Sequence, residues 1–254
     1  MANGFVWYEL MTTDAKAAEG FYGKVVGWTA QQADQPGMPY TLLMSGASQV
    51  AGLMTLPAEA CAAGARPGWM GYIGVDDADA TVARLTRAGG SVHRPAADIP
   101  GIGRFAVVAD PQGAVFCLFQ PAGPGEPSPP GQNVPGTIGW HELMAGDGDK
   151  AFAFYADLFG WARDEAIDLG PMGKYQLFAA NGQVIGGMMT KPAEVPAPFW
   201  GYYFNVEGIT AAVERLKAAG GSVINGPMEV PGGSWVVQAI DPQGAMFALV
   251  GPKG

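Results

Sequence analysis

The segment "DPQGAVF" at residues 110–116 returns as "DPQGAMF" at 241–247. It does not return alone. "WYELMTTD" (7–14) recurs as "WHELMAGD" (140–147), "FYGKVVGW" (21–28) as "FYADLFGW" (154–161), and "LTRAGGSV" (85–92) as "LKAAGGSV" (216–223). The order is kept, and the offset moves only from 133 to 131 residues along the chain. Such self-similarity means that one folding unit has been used twice, with small changes in loop length. Between the copies lies "PAGPGEPSPPGQNVPG" (121–136), too rich in proline and glycine to form a packed element. The expected organisation is a domain over 1–122, a linker over 123–134 and a second domain over 135–254.

Composition fits that division. A chain of 254 residues holds two domains of ordinary size, and 48% hydrophobic residues can fill two cores. A formal net charge of −9 argues against a nucleic-acid backbone or an anionic membrane surface as partner. No apolar run reaches membrane length, and "MANGFVWYEL" lacks the basic start and long apolar core of a signal peptide. The two cysteines, Cys61 and Cys117, suggest no disulfide framework, so a reducing cytoplasm is the expected compartment. The expected partner is a small molecule; a monomer and a homodimer are both compatible with the sequence.

Each copy reads as the same series of elements. "FVWYELMT" alternates as a strand, and Ala18, Phe21, Tyr22 and Val25 then form a helical stripe with Asp14 as N-cap. "PYTLLMSG" and "QVAGLMT" read as a strand pair. A strand "WMGYIGV" follows, then a helix "DDADATVARLTRAGG" with an acidic start, a basic end and a Gly-Gly stop. "SVHRPA", "RFAVVAD" and "AVFCLFQ" complete the set, with Asp110-Pro111-Gln112-Gly113 as a turn. The glycine-rich "PGIGR" and "PGGSW" precede no helix and read as strand connections, not phosphate loops. An α+β fold results, each half a pair of βαβββ modules. Helices cover one side of its mixed sheet, and the other side is left to curve into a cup.

The βαβββ pairing, the "D-x-x-x-A-x-x-FY" opening helix and the "DPxG" turn before the last strand resemble the vicinal oxygen chelate superfamily. This group holds glyoxalase I, extradiol dioxygenases and the fosfomycin- and bleomycin-resistance proteins. The resemblance covers nearly the whole chain, once per half, and is strongest to tandem two-domain glyoxalase-like proteins of the mycobacterial antigen type. It implies a divalent metal held by His, Gln or Glu at set strand positions. Here those positions fall on Trp7, Met70 and Cys117 in the first half and Trp140, Gly201 and Ala248 in the second. None suits such an ion. No metal and no cofactor is therefore expected. The two histidines, His93 and His141, face Ile224 and Tyr8 across the repeat, so neither belongs to a shared design. Alternation turns His141 toward the helices, as a buried histidine satisfied by local hydrogen bonds.

Alternation also puts Trp7, Glu9 and Met11 in the first cup, and Trp140, Glu142 and Met144 in the second. Glu9 and Glu142 are the candidate catalytic groups, since a carboxylate walled by apolar side chains can be raised toward neutral pKa. Tyr40/Tyr175, Trp69/Trp200 and Tyr72/Tyr203 recur in both halves and offer aromatic faces with one polar handle each. Trp7, Trp69, Tyr72, Trp140, Trp200 and Tyr203 are thus candidate ligand contacts. Arg104 faces Trp235 across the repeat, and both join this set, Arg104 favouring an anionic ligand in the first cup. Cys117 lacks a histidine in its pattern and reads as inert packing.

The leading function is a metal-independent protein of the glyoxalase/bleomycin-resistance type that binds a hydrophobic or aromatic metabolite or antibiotic. The alternative is a metal-free isomerase, lyase or hydrolase with Glu9 or Glu142 as general base. A metal-dependent lactoylglutathione lyase or dioxygenase would need ligands the chain does not carry.

Overall fold

The structure is a computed structural model and describes residues 3–33, 39–62, 64–123 and 133–254. Most of the expected linker, 124–132, lies outside the described residues.

The first half runs β1 (Phe5–Thr12), α1 (Ala15–Val25), β2 (Thr29–Gln32), β3 (Thr41–Ser45), β4 (Ser48–Thr55), a short α2 (Ala58–Ala62), β5 (Gly68–Gly74), α3 (Ala78–Arg87), β6 (Ser91–Ile99), β7 (Gly103–Ala109) and β8 (Val115–Pro121). The second runs β9 (Ile138–Ala145), α4 (Gly148–Phe159), β10 (Ala162–Asp168), a 3-10 turn, β11 (Lys174–Ala180), β12 (Gln183–Thr190), β13 (Phe199–Asn205), α5 (Ile209–Ala218), β14 (Ser222–Glu229), β15 (Trp235–Ile240) and β16 (Met246–Gly251). Two eight-stranded mixed sheets result, ordered β2-β3-β4-β1-β5-β8-β7-β6 and β10-β11-β12-β9-β13-β16-β15-β14. The architecture is the α+β class that the repeat implied.

The helices form where the sequence supplies both a cap and an apolar stripe. The Asp14 carboxylate accepts from Ala17 N at 2.9 Å, Asp77 from Ala80 N at 2.8 Å, and Asp147 from Lys150 N at 3.1 Å. The α5 N-cap is Gly208, which has no side chain to offer. There the amides of Ile209 and Thr210 donate instead to the carbonyls of Pro252 and Lys253 in the C-terminal tail. Ala18, Phe21, Tyr22 and Val25 of α1 are all buried, as the stripe predicts. The DPQG turns close through Gly113 N to Asp110 O and Gly244 N to Asp241 O, each at 3.0 Å.

By packing, the described chain falls into two compact units that cut across the repeat. Of the described residues, one takes in 3–6, 70–123 and 140–201; the other takes in 7–33, 39–62, 64–69, 133–139 and 202–254. Each unit thus combines one βαβββ module from the first half with one from the second. In the second unit α1 supplies Phe21 and Tyr22, whose rings pack on Phe247 of β16 at 5.8 and 5.4 Å. In the first unit α4 supplies Tyr155 and Phe159, which pack on Phe116 of β8 at 5.6 and 6.0 Å.

Candidate functional site

β1 turns Tyr8, Leu10 and Thr12 inward, all buried, and presents Trp7, Glu9 and Met11 on its other face. Glu9 is nonetheless only 9% exposed. The Trp7 indole N–H donates to the Tyr40 hydroxyl at 3.1 Å, and that hydroxyl donates to Glu9 Oε2 at 3.1 Å. Burial, then the Glu9 charge, holds the Tyr40 proton in place by raising its pKa far above the ordinary phenol value. In β9, Trp140 Nε1 likewise donates to the Tyr175 hydroxyl, at 2.9 Å, and Glu142 is 8% exposed.

Strand register makes room for these tyrosines. Glu9 lies opposite Gly52 in the parallel β1/β4 pair, and Glu142 opposite Gly187 in β9/β12. A Cβ on Gly52 would coincide with the Tyr40 hydroxyl, and one on Gly187 with the Tyr175 ring. "VAGLM" and "IGGMM" are therefore part of the site, although neither carries a functional side chain. The repeated tyrosines and these glycines are visible in the sequence; their convergence on Glu9 and Glu142 needs the register.

A second hydrogen-bond series occupies the helix side. Trp69 Nε1 donates to Tyr22 Oη at 2.9 Å, and Tyr22 donates to Asp241 Oδ2 at 3.0 Å. Trp200 Nε1 donates to Tyr155 Oη at 3.0 Å, and Tyr155 donates to Asp110 Oδ2 at 3.1 Å. The other oxygen of each aspartate accepts two turn amides, from Gln112 and Ala114 or from Gln243 and Ala245. Burial raises both aspartate pKa values, against the pull of those donors. Each DPQG turn is thus tied to a tyrosine of the other half's opening helix, within one compact unit. The sequence of the turn shows its shape but gives no sign of this partner.

Arg104 and Trp235 share the inward parity of the buried Ala106 and Val237 on their strands. Arg104 grips Asp79 of α3 at 2.7 and 3.0 Å and Asp98 at 2.8 Å. Two carboxylates thus already meet its charge. Lys253 Nζ lies 4.4 Å from the Trp235 ring centre. Tyr72 and Tyr203 have the opposite parity to Trp69 and Trp200 on β5 and β13. His141 is buried, stacks on Phe5 at 4.1 Å and donates from Nδ1 to the Ile185 carbonyl at 2.7 Å. Burial draws its pKa down to about 4. Cys117 is buried and forms no disulfide, with its Sγ 3.0 Å from Met70 Sδ.

The model of the Glyoxalase/Bleomycin resistance protein/Dioxygenase superfamily matches residues 137–249, and a Glyoxalase-like domain model matches residues 7–119. The Mycobacterium tuberculosis protein named "Putative glyoxylase CFP32" is 33% identical over 248 residues, covering 97% of this chain and 94% of that protein. The chain belongs to the glyoxalase/bleomycin resistance protein/dioxygenase superfamily, with its domain present twice in tandem. A second relative, "Anthracycline biosynthesis protein DauV" of Streptomyces sp. strain C5, is 32% identical over 257 residues, covering 96% of this chain and 91% of its own. Among solved structures, the Mn(II)-bound glyoxalase from Novosphingobium aromaticivorans aligns with a TM-score of 0.68 at 16% identity, covering 100% of this chain and 83% of that one. The 2,3-dioxygenase LapB from Pseudomonas sp. KL28 aligns at 0.66 and 13%, covering 98% and 93%. At such identities the likeness is one of fold.

The superfamily's divalent metal does not fit the residues of this chain. The positions implied for its ligands hold indoles, a thioether paired with a thiol, a glycine and an alanine, none a ligand for a hard divalent ion. Among the described residues no three His, Cys, Asp or Glu side chains gather as a metal-holding set. No helix among them is long and apolar enough to cross a membrane.

Proposed function

We propose that this glyoxalase-superfamily protein binds a flat, largely apolar small molecule, an aromatic metabolite or antibiotic, without a metal ion. Trp7 and Glu9 would contact it in the first half, and Trp140 and Glu142 in the second. The observation that carries the reading is the Trp–Tyr–Glu chain. A nearly buried carboxylate is costly unless hydrogen-bonded, and here an indole and a phenol are committed to holding it. That fixes a tryptophan face beside one polar group, which is what a ring system with a hydroxyl or carbonyl substituent needs. The Streptomyces relative's name, an anthracycline biosynthesis protein, points to polycyclic aromatics as the class to try first.

Tyr72 and Tyr203 stand on the face of their strands opposite to Trp69 and Trp200. Trp69, Trp200, Arg104 and Trp235 have their polar or aromatic groups engaged on the helix side. The enzymatic alternative uses the same glutamates. The Glu9 carboxylate already accepts a hydrogen bond from the Tyr40 hydroxyl, so that oxygen is engaged, which favours binding over general-base chemistry.

Binding of anthraquinones and naphthoquinones, followed by quenching of tryptophan fluorescence, tests the proposal. Trp7→Leu and Glu9→Gln are each expected to weaken binding by about tenfold, the effect of one lost contact of about 1–2 kcal/mol. EDTA is expected to leave it unchanged. A panel in which no member binds in a Trp7- or Trp140-dependent way would reject the reading. Turnover lost in Glu9→Gln with binding retained would favour the enzyme instead.

A further inference from the structure

One face of β5-β8-β7-β6 and the same face of β13-β16-β15-β14 carry equivalent rows of side chains, and the rows are chemically different. Register defines them. In the first, Tyr72 lies opposite Cys117, Cys117 opposite Val107, and Val107 opposite Arg94. In the second, Tyr203 lies opposite Ala248, Ala248 opposite Gln238, and Gln238 opposite Asn225. Directly opposed residues of neighbouring strands share a face, so each row lies along one side of its sheet. In the first it is the side away from α3, because Arg104, which alternates with Phe105 and Val107, reaches Asp79 of that helix.

The second row is a continuous neutral hydrogen-bond chain. Ala248 is small enough to be bridged: Gln238 Nε2 donates to Tyr203 Oη at 3.1 Å, and Asn225 Nδ2 donates to Gln238 Oε1 at 3.2 Å. The first row cannot form such a chain. Val107 stands in place of the glutamine, and Cys117, its Sγ on Met70 Sδ, stands in place of the alanine. Arg94 replaces Asn225 and swings over Phe105, 4.7 Å from the ring centre. Phe105 and Phe119 lie 6.3 and 6.5 Å from Tyr72, where the second half has Val236 and Val250. One row is aromatic with a cation at its end; the other is aliphatic with an amide relay.

Arg94 differs from Arg104, the arginine that the repeat comparison picks out. Arg104 is held by two aspartates, whereas among the described residues no carboxylate pairs with Arg94. A guanidinium stacked on a ring keeps its donor edge available for a carboxylate. In a chain of net charge −9, which repels anions as a whole, such a local cation selects for an anionic group.

We propose that the two halves are specialised: the Tyr72–Phe105–Arg94 face takes an aromatic carboxylate, and the Tyr203–Gln238–Asn225 face takes a neutral, hydrogen-bonding ligand. This rests on the aromatic-binding reading above and assigns a ligand class to each half. Titration calorimetry on the full chain tests it with two probes, anthraquinone-2-carboxylate and its neutral analogue 2-(hydroxymethyl)anthraquinone. Arg94→Gln is expected to weaken the carboxylate about tenfold and leave the alcohol unchanged, with Arg94→Lys restoring part of the loss. Gln238→Val, which installs the first half's residue, is expected to weaken the alcohol alone. If Arg94→Gln weakens both probes equally, or neither, specialisation is overturned while aromatic binding stands. If neither probe binds the unmodified protein, the aromatic-binding reading fails, and the specialisation falls with it.

Discussion

His141 is the point at which the two copies of the first strand differ most in chemistry. Its counterpart Tyr8 is also buried and meets Tyr202 edge-on at 5.6 Å, so both positions are core sites. A carbonyl can only accept, so the bond to Ile185 fixes the proton on Nδ1. With its pKa drawn down to about 4 by burial, His141 is neutral in the folded chain at pH 7. The unfolded chain protonates its histidine near pH ~6.5, so between about 6.5 and 4 the unfolded state binds more protons. Stability contributed by the neutral ring is present above about pH 6.5 and is lost as pH falls toward 4, by roughly 3 kcal/mol. Asp110 and Asp241, with raised pKa values, act in the opposite sense but equally in any His141 variant. His141→Phe keeps the stack on Phe5 and strands the Ile185 carbonyl, so it is expected to be less stable at pH 7 by about 1–3 kcal/mol. Its stability should then decline less toward pH 4, in urea melts across that range. Equal acid limbs in the two proteins would place the responsible proton elsewhere.

Among the elements, legibility follows burial. β1, α1 and α3 are evident because one face of each is buried and the sequence alternates to match. β2 is not: all four of its residues are exposed, so nothing in "TAQQ" is constrained to alternate. α2 has five residues and no buried one, too little for a helical stripe. The candidate site is half legible. Glu9 and Trp7 follow from alternation within one strand, but Tyr40 is 31 residues from Glu9, and Arg94 finds Phe105 only through a hairpin interrupted by register shifts. Two glycines show the same difference at the level of their elements. Gly20 sits exposed within α1, where an added methyl group would meet open space, so Gly20→Ala is expected to stabilise the protein by about 0.5–1 kcal/mol through helix propensity. Gly52 sits under Tyr40 in β4, and Gly52→Ala is expected to displace that ring and cost about 1–3 kcal/mol. The urea midpoints of the two variants should move in opposite directions. A neutral Gly52→Ala would show that Tyr40 does not need to lie against the strand.

At the scale of the whole molecule, sequence boundaries and packing boundaries answer different questions. The proline- and glycine-rich segment marks where one copy of the repeat gives way to the next, but each compact unit draws on both copies. In one unit Phe21 and Tyr22 of α1 pack on Phe247, Tyr22 bonds Asp241, and the Arg215 guanidinium donates to the Val25 carbonyl. In the other, Tyr155 packs on Phe116 and bonds Asp110, and Arg84 donates to the Asp157 carbonyl. A half-chain would expose these rings to water, and each large aromatic left unburied forfeits about 2–3 kcal/mol. It would also strand a buried carboxylate and its tyrosine, at about 1–3 kcal/mol for each lost partner. Together these losses match the net stability of an ordinary domain. Residues 1–122 and 135–254 expressed separately are therefore expected to aggregate or to self-associate, one copy standing in for the missing half. Co-expressed, they are expected to elute as a one-to-one complex with a single unfolding transition. The measurement is size-exclusion chromatography with light scattering on each half and on the pair. A half-chain that stays monomeric and unfolds cooperatively would show that a single copy of the repeat suffices to fold.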